Sequence, residues 1–230
     1  MTEKGKPPAT RRDVNAFLQQ AAATPVANTA PAAGRLIFAL DATASREATW
    51  DHASQLQAEM FDSTARLGGL EIQLCYYRGF REFHASAWCR DSRRLLREMT
   101  AVRCLAGHTQ IARLQRHAIE ETRRRKVNAV VFIGDCVEEP ADTLGDLAGQ
   151  LGLLGVPLFL FHEGHDPHAA GILRQLARLS GGAYGPFDAG SARQLRQLLG
   201  EVAVYAAGGL SALEDFQRRQ GHRRLRLGRD

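Results

Sequence analysis

RLIFALDATAS, residues 35–45, decides the fold of this chain. Residues 36–40 are apolar without interruption, which is typical of a strand buried on both faces of a parallel sheet. The apolar run stops at Asp41, and the hydroxyl residues Thr43 and Ser45 follow at alternate positions. Ligand sites of open parallel sheets lie at the carboxyl ends of the strands. The stretch therefore predicts a central strand that is followed by an oxygen-rich site.

Two further polar clusters occupy comparable places in the chain. The apolar stretch VNAVVFIG, residues 127–134, ends directly before Asp135, and Thr109 stands at the start of a predicted helix. Neighbouring strands lie about 4.8 Å apart, so side chains at their ends can reach a single ion. We therefore predict one site for a hard cation, formed by Asp41, Thr43, Ser45, Thr109 and Asp135.

Strand and helix patterns alternate along the rest of the chain. Strand patterns cover 70–79, 80–88, 127–135, 156–164 and 183–187, and helix patterns cover 45–67, 91–102, 110–126, 142–154, 168–182 and 191–208. Such alternation implies right-handed crossovers with helices on both faces of the sheet. We predict a three-layer, Rossmann-like, doubly wound α/β fold with a mostly parallel sheet of strand order 3-2-1-4-5-6. The second and third strands read as a hairpin, which makes one edge strand antiparallel.

The three polar clusters, in this order, resemble the von Willebrand factor A (vWA) domain and its metal-ion-dependent adhesion site (MIDAS). In that family the first loop reads Asp-x-Ser-x-Ser, a second loop supplies a Thr and a third supplies an Asp. Thr43 replaces the middle Ser here, which keeps the hydroxyl and adds a methyl group. The resemblance covers about residues 35–205. It implies that Thr43, Ser45 and Thr109 bind the metal directly, while Asp41 and Asp135 act mainly through bound waters.

The ligand set indicates which metal and which partner to expect. Oxygen ligands without Cys or His favour Mg²⁺, with Mn²⁺ as a substitute, whereas Ca²⁺ usually takes more ligands. Neutral hydroxyls leave a divalent ion under-neutralised, so an open coordination position attracts an outside carboxylate. The resemblance thus implies a cytoplasmic adaptor of the intracellular, bacterial-type branch, which binds an Asp or Glu of a protein partner. In that branch the partner is often an ATPase or chaperone system.

Length and composition predict one domain with two flanking segments. The chain has 230 residues and is 44% apolar, enough for one substantial core. We assign residues 35–208 to this domain, residues 1–34 to a flexible or partly helical N-terminal arm, and residues 209–230 to a basic C-terminal tail. No apolar run reaches membrane-spanning length, and the N-terminus lacks the apolar core of a signal peptide. A cytoplasmic location without membrane contact is the default expectation.

Two other classes of function stay open as alternatives. An RNA-associated vWA protein would use the basic faces at 93–103 and 218–229, although most such runs, like the one at 123–126, are solvated helix ends. A metal-assisted hydrolase or phosphatase would use Asp41 and Asp135. The chain has no G-x-S-x-G or P-loop motif, and Thr43 cannot serve as the second acid of a D-x-D phosphatase. We therefore expect a binding domain rather than an enzyme.

Cysteine and histidine patterns do not favour a zinc site. The four cysteines have no C-x-x-C spacing and are expected to be buried thiols. FHEGHDPH, residues 161–168, has zinc-ligand residue types, but Gly164 and Pro167 interrupt the helix that would align its histidines. Asp166 and Pro167 instead indicate the start of a helix. The segment is expected to lie at the rim of the partner-binding face.

Overall fold

A computed structural model of the chain describes residues 33–44, 70–187 and 192–219. Within these ranges the strands are β1 (Gly34–Asp41), β2 (Leu70–Arg78), β3 (Glu82–Ala85), β4 (Ala129–Gly134), β5 (Leu158–Glu163) and β6 (Ala183–Phe187). The helices are α1 (Ser92–Thr100), α2 (Ile111–Arg124), α3 (Ala141–Leu153), α4 (Pro167–Ser180) and α5 (Ala192–Arg219). None of these helices is long and apolar enough to span a bilayer.

The six strands form one sheet in the order β3-β2-β1-β4-β5-β6. β3 pairs with β2 in antiparallel orientation, and the other pairs of neighbouring strands are parallel. The predicted doubly wound α/β fold, its strand order and its antiparallel edge strand are therefore confirmed. Because β1 and β4 are adjacent, their carboxyl ends meet at one edge of the sheet.

Two apolar cores cover the two faces of the sheet. Leu36, Phe38 and Leu40 of β1 pack with α1 and α5 on one face. Ile37 and Ala39 pack with α2, α3 and α4 on the other face. All five side chains are at most 2% exposed, and complete burial of a Leu, Ile or Phe side chain stabilises a fold by about 1.5–3 kcal/mol. This two-sided burial explains why β1 is continuously apolar rather than alternating.

Aspartate side chains cap helix starts at two places, and the one at Asp166 was predicted. The Asp91 carboxylate accepts hydrogen bonds from the first backbone amides of α1. Asp166 does the same for α4, with Pro167 in the first turn. Such caps satisfy amides that have no partner inside the helix. The segment at 161–168 therefore contains a strand end and a helix start, as its sequence predicts.

The last predicted helix ends at a break, and a further helical segment that was not predicted follows it. α5 continues to Arg219, with a break at Gly209, whose φ of 74° and ψ of −167° are not helical. Leu213 beyond the break is fully buried, and this burial explains why the chain remains helical past residue 208. The predicted N-terminal arm and the predicted helix at 45–67 lie outside the described residues, apart from the last positions of the arm.

β1 begins in direct backbone contact with α5. A Cβ atom at Gly34 would lie 2.0 Å from the carbonyl oxygen of Ala206, so this position requires glycine.

The cysteines differ in burial. Cys75 and Cys89 are buried as expected, whereas Cys104 and Cys136 are partly exposed, and all four are free thiols.

Candidate functional site

The carboxyl ends of the central strands bring two aspartates together. Asp41 is the last residue of β1 and Gly134 is the last residue of β4. A Cβ atom added at Gly134 would lie 3.5 Å from Cβ of Asp41, so Gly134 lies beside the Asp41 side chain and Asp135 is the next residue. Repulsion from Asp135 is one cause that raises the pKa of Asp41, after the larger effect of burial. The two predicted acids therefore share one edge of the sheet.

Asp41 is held by hydrogen bonds from two residues. Its Oδ1 accepts from the backbone amide of Thr43 at 2.8 Å, and its Oδ2 accepts from the Tyr77 hydroxyl at 3.1 Å. The Thr43 hydroxyl also hydrogen-bonds to this carboxylate. Asp41 is 0% exposed, and burial raises its pKa although these bonds oppose the change. Asp41 is therefore a carboxylate in a fixed position, and a nearby cation would stabilise its ionised form.

Thr109 joins the loop before α2 to the loop after β4. Its hydroxyl accepts a hydrogen bond from the Glu138 amide at 3.1 Å and also bonds to the Glu139 carboxylate. Its own amide donates to Glu138 Oε2 at 2.8 Å. A hydroxyl has one hydrogen and two lone pairs, and a bond to a carboxylate uses the hydrogen. One lone pair of Thr109 is left for a further partner.

Glu138 and Glu139 are residues of the site that sequence reasoning missed. Glu139 accepts hydrogen bonds from the amides of Ile111 at 2.6 Å and Ala112 at 2.9 Å. It thereby caps α2, whose preceding residue, Gln110, makes no side-chain cap bond. The prediction that Thr109 itself opens this helix is wrong. The only sequence signal was two adjacent carboxylates shortly after Asp135, because the capped helix lies far away in the chain.

Asp135 carries the most informative atom of the site. Its Oδ1 is buried and has no hydrogen-bond partner among the described residues. A buried acceptor without a partner costs about 1–3 kcal/mol, and more when it is charged. A bound cation, directly or through its water, would satisfy this oxygen. The donor chemistry at this edge therefore fits the hard cation that the sequence predicts.

The Tyr77 hydroxyl lies within the influence of the acidic groups of the site. Burial and the charges of Asp41, Glu139 and Asp135 all raise the pKa of its hydroxyl. Thr109 bonds to Glu139, so it lies at the same edge. The structure thus places four of the five predicted ligands along one edge of the sheet: Asp41, Thr43, Thr109 and Asp135. Ser45 lies outside the described residues.

The carboxylates are not sufficient for a metal site by themselves. In the described ranges no group of three or more His, Cys, Asp and Glu side chains is arranged to hold a metal ion. A cation at this edge would depend on threonine and serine hydroxyls in addition to Asp41 and Asp135. Hydroxyl-rich coordination of this kind is what the sequence pattern predicts, and ligand roles for the five residues stay a prediction.

His162 fixes the backbone beside Asp135. Its Nδ1 lies 3.0 Å from the Tyr184 hydroxyl and its Nε2 lies 3.2 Å from the Asp135 carbonyl oxygen. A carbonyl can only accept, so Nε2 carries the hydrogen and Nδ1 accepts from Tyr184. Burial lowers the pKa of His162. With His165 and His168 exposed, the histidines at 162–168 do not converge on a zinc ion.

Replacing Tyr77 with phenylalanine tests the hydrogen bond between the Tyr77 hydroxyl and the Asp41 carboxylate. The change keeps the ring, which is 1% exposed, but removes the hydroxyl that donates to Asp41 Oδ2. We expect the free energy of unfolding to fall by about 1–3 kcal/mol, because a buried acceptor loses its partner. Urea unfolding followed by circular dichroism measures the change. A loss below about 0.5 kcal/mol, typical of neutral surface substitutions, would contradict the bond.

Comparisons with known proteins identify the fold. No protein-family model matches the chain, and no curated protein sequence matches it at a significant level. The VWA domain of SpRpn10 is similar in structure, with a TM-score of 0.57 and 13% sequence identity over 74% of this chain and 94% of that domain. A point variant of the PilB minor pilin from Streptococcus sanguinis has a TM-score of 0.59 and 7% identity. The pilus adhesin SpaC from Lactobacillus rhamnosus GG has a TM-score of 0.59 and 10% identity.

The matched regions cover most of this chain but only part of the pilin and of the adhesin. The matched region covers 83% of this chain and 64% of the pilin. It covers 84% of this chain and 31% of the adhesin. At these identities the likeness shows the fold alone. The chain therefore has the fold of vWA domains.

Proposed function

We propose that this chain is a protein-interaction domain that captures an acidic side chain of a partner protein through a bound Mg²⁺. The observation that carries the proposal is the unsatisfied, buried Asp135 Oδ1 beside the fully buried Asp41. Two acids in such a position repel each other unless a cation lies between or beside them. The proposed ligands are Asp41, Thr43, Ser45, Thr109 and Asp135.

Each proposed ligand has a distinct role. The Thr43, Ser45 and Thr109 hydroxyls would bind the ion as neutral oxygens, and the two aspartates would hold its waters. Mg²⁺ suits this small all-oxygen set, Mn²⁺ would replace it, and Ca²⁺ suits it less. When bound, the ion supplies the positive charge that attracts an outside carboxylate. The second lone pair of Thr109 and the orphaned oxygen of Asp135 both support this arrangement.

The similar structures support binding over catalysis. A VWA domain, a minor pilin and a pilus adhesin all have this fold, and an adhesin functions by binding. For this chain we propose an adaptor role whose partner is a protein with an accessible Asp or Glu. An ATPase or chaperone system of the kind that the vWA resemblance implies would be such a partner.

Isothermal titration with Mg²⁺ and with Mn²⁺ tests the proposed site. We expect Thr109→Val to weaken metal binding by at least about tenfold, since even groups that only orient a ligand contribute about 10–100-fold. Thr122→Val is a matched control. Its hydroxyl is buried without a partner among the described residues, and it lies about three turns further along α2.

The results of these titrations either support or contradict the proposed site. Binding by the wild type and by Thr122→Val, together with loss in Thr109→Val, supports the site. Equal affinity in the three proteins, or no binding in any of them, contradicts it. Thermal unfolding of Thr109→Val without metal shows whether the variant is folded.

A further inference from the structure

An exposed apolar ridge borders the candidate metal edge. Phe80 follows β2 and is 76% exposed, and Leu105 in the loop before α2 is 42% exposed. The exposed ring of His108 packs edge-on against Phe80, with 5.6 Å between the ring centroids. We call Phe80, Leu105 and His108 the Phe80 ridge. Exposed aromatic side chains in a cluster are a feature of protein-binding surfaces.

The backbone beneath the Phe80 ridge is fixed. The Gly79 amide donates to the Leu105 carbonyl at 3.3 Å, and the His108 amide donates to the Gly79 carbonyl at 3.3 Å. A Cβ atom at Gly107 would lie 1.9 Å from the Gly79 carbonyl oxygen, so the two loops pack backbone to backbone. A rigid, exposed aromatic residue loses little entropy when a partner covers it.

The Phe80 ridge is continuous with the candidate metal edge. The Leu105 amide donates to the carbonyl of Ala42 at 3.1 Å, between the proposed ligands Asp41 and Thr43. On the other side, His108 Nδ1 lies 3.2 Å from Glu138 Oε1, and the other oxygen of Glu138 accepts from Thr109. A partner segment bound at the metal edge therefore lies close enough to contact the Phe80 ridge as well.

Two exposed arginines flank the Phe80 ridge. Arg81 and Arg103 are exposed, and in the part of the chain that the structure describes neither forms an ion pair. Arg78 pairs with Glu82 at 2.7 Å. Glu138 is engaged by His108. Exposed, unneutralised guanidinium groups beside an apolar anchor favour an acidic partner.

We propose that the Phe80 ridge binds a partner segment that carries an apolar side chain close to an acidic residue. Phe80 and Leu105 contact the apolar side chain, Arg81 and Arg103 attract the acidic flank, and a carboxylate of the same segment reaches the metal edge. This inference rests on the proposed function, because it describes the partner of the same site. It assigns specificity to residues that are not metal ligands.

Selection of displayed random linear peptides on the intact chain, in millimolar Mg²⁺, provides the probe. We expect enriched peptides to combine an Asp or Glu with a nearby Leu, Ile, Met or Phe. For one enriched peptide, Phe80→Ser should weaken binding about 30-fold, as expected for an aromatic hot spot. Arg81→Glu should weaken it and reduce its dependence on salt. Leu153→Ser is the matched control, because Leu153 is 91% exposed at the far end of α3.

Each outcome decides between the two proposals. Binding that depends on Phe80 and Arg81 and persists in EDTA supports the Phe80 ridge and contradicts the metal role. Binding that EDTA abolishes but Phe80→Ser leaves unchanged supports the metal role and overturns the Phe80 ridge. No enrichment, or enrichment of peptides without acidic residues, also overturns it. So does a dimer in light scattering that Phe80→Ser converts to a monomer, because a second copy would then be the occupant.

Discussion

Replacing Glu121 with alanine is expected to lower the free energy of unfolding by about 3 kcal/mol. Glu121 Oε2 accepts from Arg35 Nη2 at 3.2 Å and from Trp88 Nε1 at 2.7 Å. The Arg35 side chain is 6% exposed, so alanine at position 121 leaves a buried charge without its closest partner. Removing one partner of a buried ion pair costs about 3–5 kcal/mol. The lower end applies because Glu71 lies 3.6 Å from Arg35 Nε and compensates in part.

Urea unfolding of Glu121→Ala beside Glu120→Ala measures this effect. Glu120 is the exposed neighbour on α2, and its removal should change stability by less than about 0.5 kcal/mol. A similar small change in both variants would contradict the structural role of the Arg35 pair.

The pH dependence of the free energy of unfolding should also reflect the ion pair of Arg35 and Glu121. Burial alone would raise the pKa of Glu121, but hydrogen bonds from Trp88 and Arg124 and the charges of His117 and Arg35 hold it below its ordinary value. A lowered carboxyl pKa stabilises the fold above the unfolded value of about 4.3. The contribution is lost as the pH falls toward the lowered folded value. Glu121→Ala should show a weaker loss in that window.

Replacing Asp135 with asparagine is expected to change stability in opposite directions with and without metal. Without metal, the variant should be more stable by about 1 kcal/mol, because a neutral amide removes the repulsion with Asp41 and the unsatisfied charged oxygen. With Mg²⁺ at about 100 times its Kd, the wild type should gain about 2.7 kcal/mol. The variant should gain much less, because it lacks one of the two acids.

Unfolding curves in EDTA and in Mg²⁺ test whether the wild type and Asp135→Asn change their order of stability. Asp146→Asn is the control, because Asp146 is exposed on α3, and it should gain as much from Mg²⁺ as the wild type. If Asp135→Asn gains the full increment too, Asp135 does not hold the metal. If Asp135→Asn is less stable than the wild type in EDTA, the buried oxygen has a partner in solution.

The fold was predictable from local patterns. The continuous apolar run of β1 indicated a central strand, and the alternation of strands and helices indicated the order that the sheet has. Asp91 and Asp166 are predictable caps because a cap and its helix are adjacent in sequence. The helical segment after Gly209 was not predictable: Gly209 reads as a helix end and its backbone is not helical, and the segment that follows packs into the core through Leu213.

The contacts of the candidate site were predictable only in part. Asp41, Thr43, Thr109 and Asp135 could be proposed from the sequence because each follows a recognisable strand or precedes a helix. The Tyr77 hydroxyl reaches Asp41 across 36 positions, and Glu139 reaches Ile111 across 28. Such partners are brought together by strand order and loop packing, which leave no periodic signal in the sequence. Tyr77 reads as an ordinary strand residue and Glu139 as an ordinary loop acid.

The contact of Gly34 with Ala206 places the start of β1 against the last helix. β1 enters the sheet at Gly34 and ends at Asp41, so the chain enters at the side remote from the candidate edge. The last helix passes the same corner, because its backbone touches the start of β1. Asp41 therefore lies at the end of β1 opposite to both of these segments.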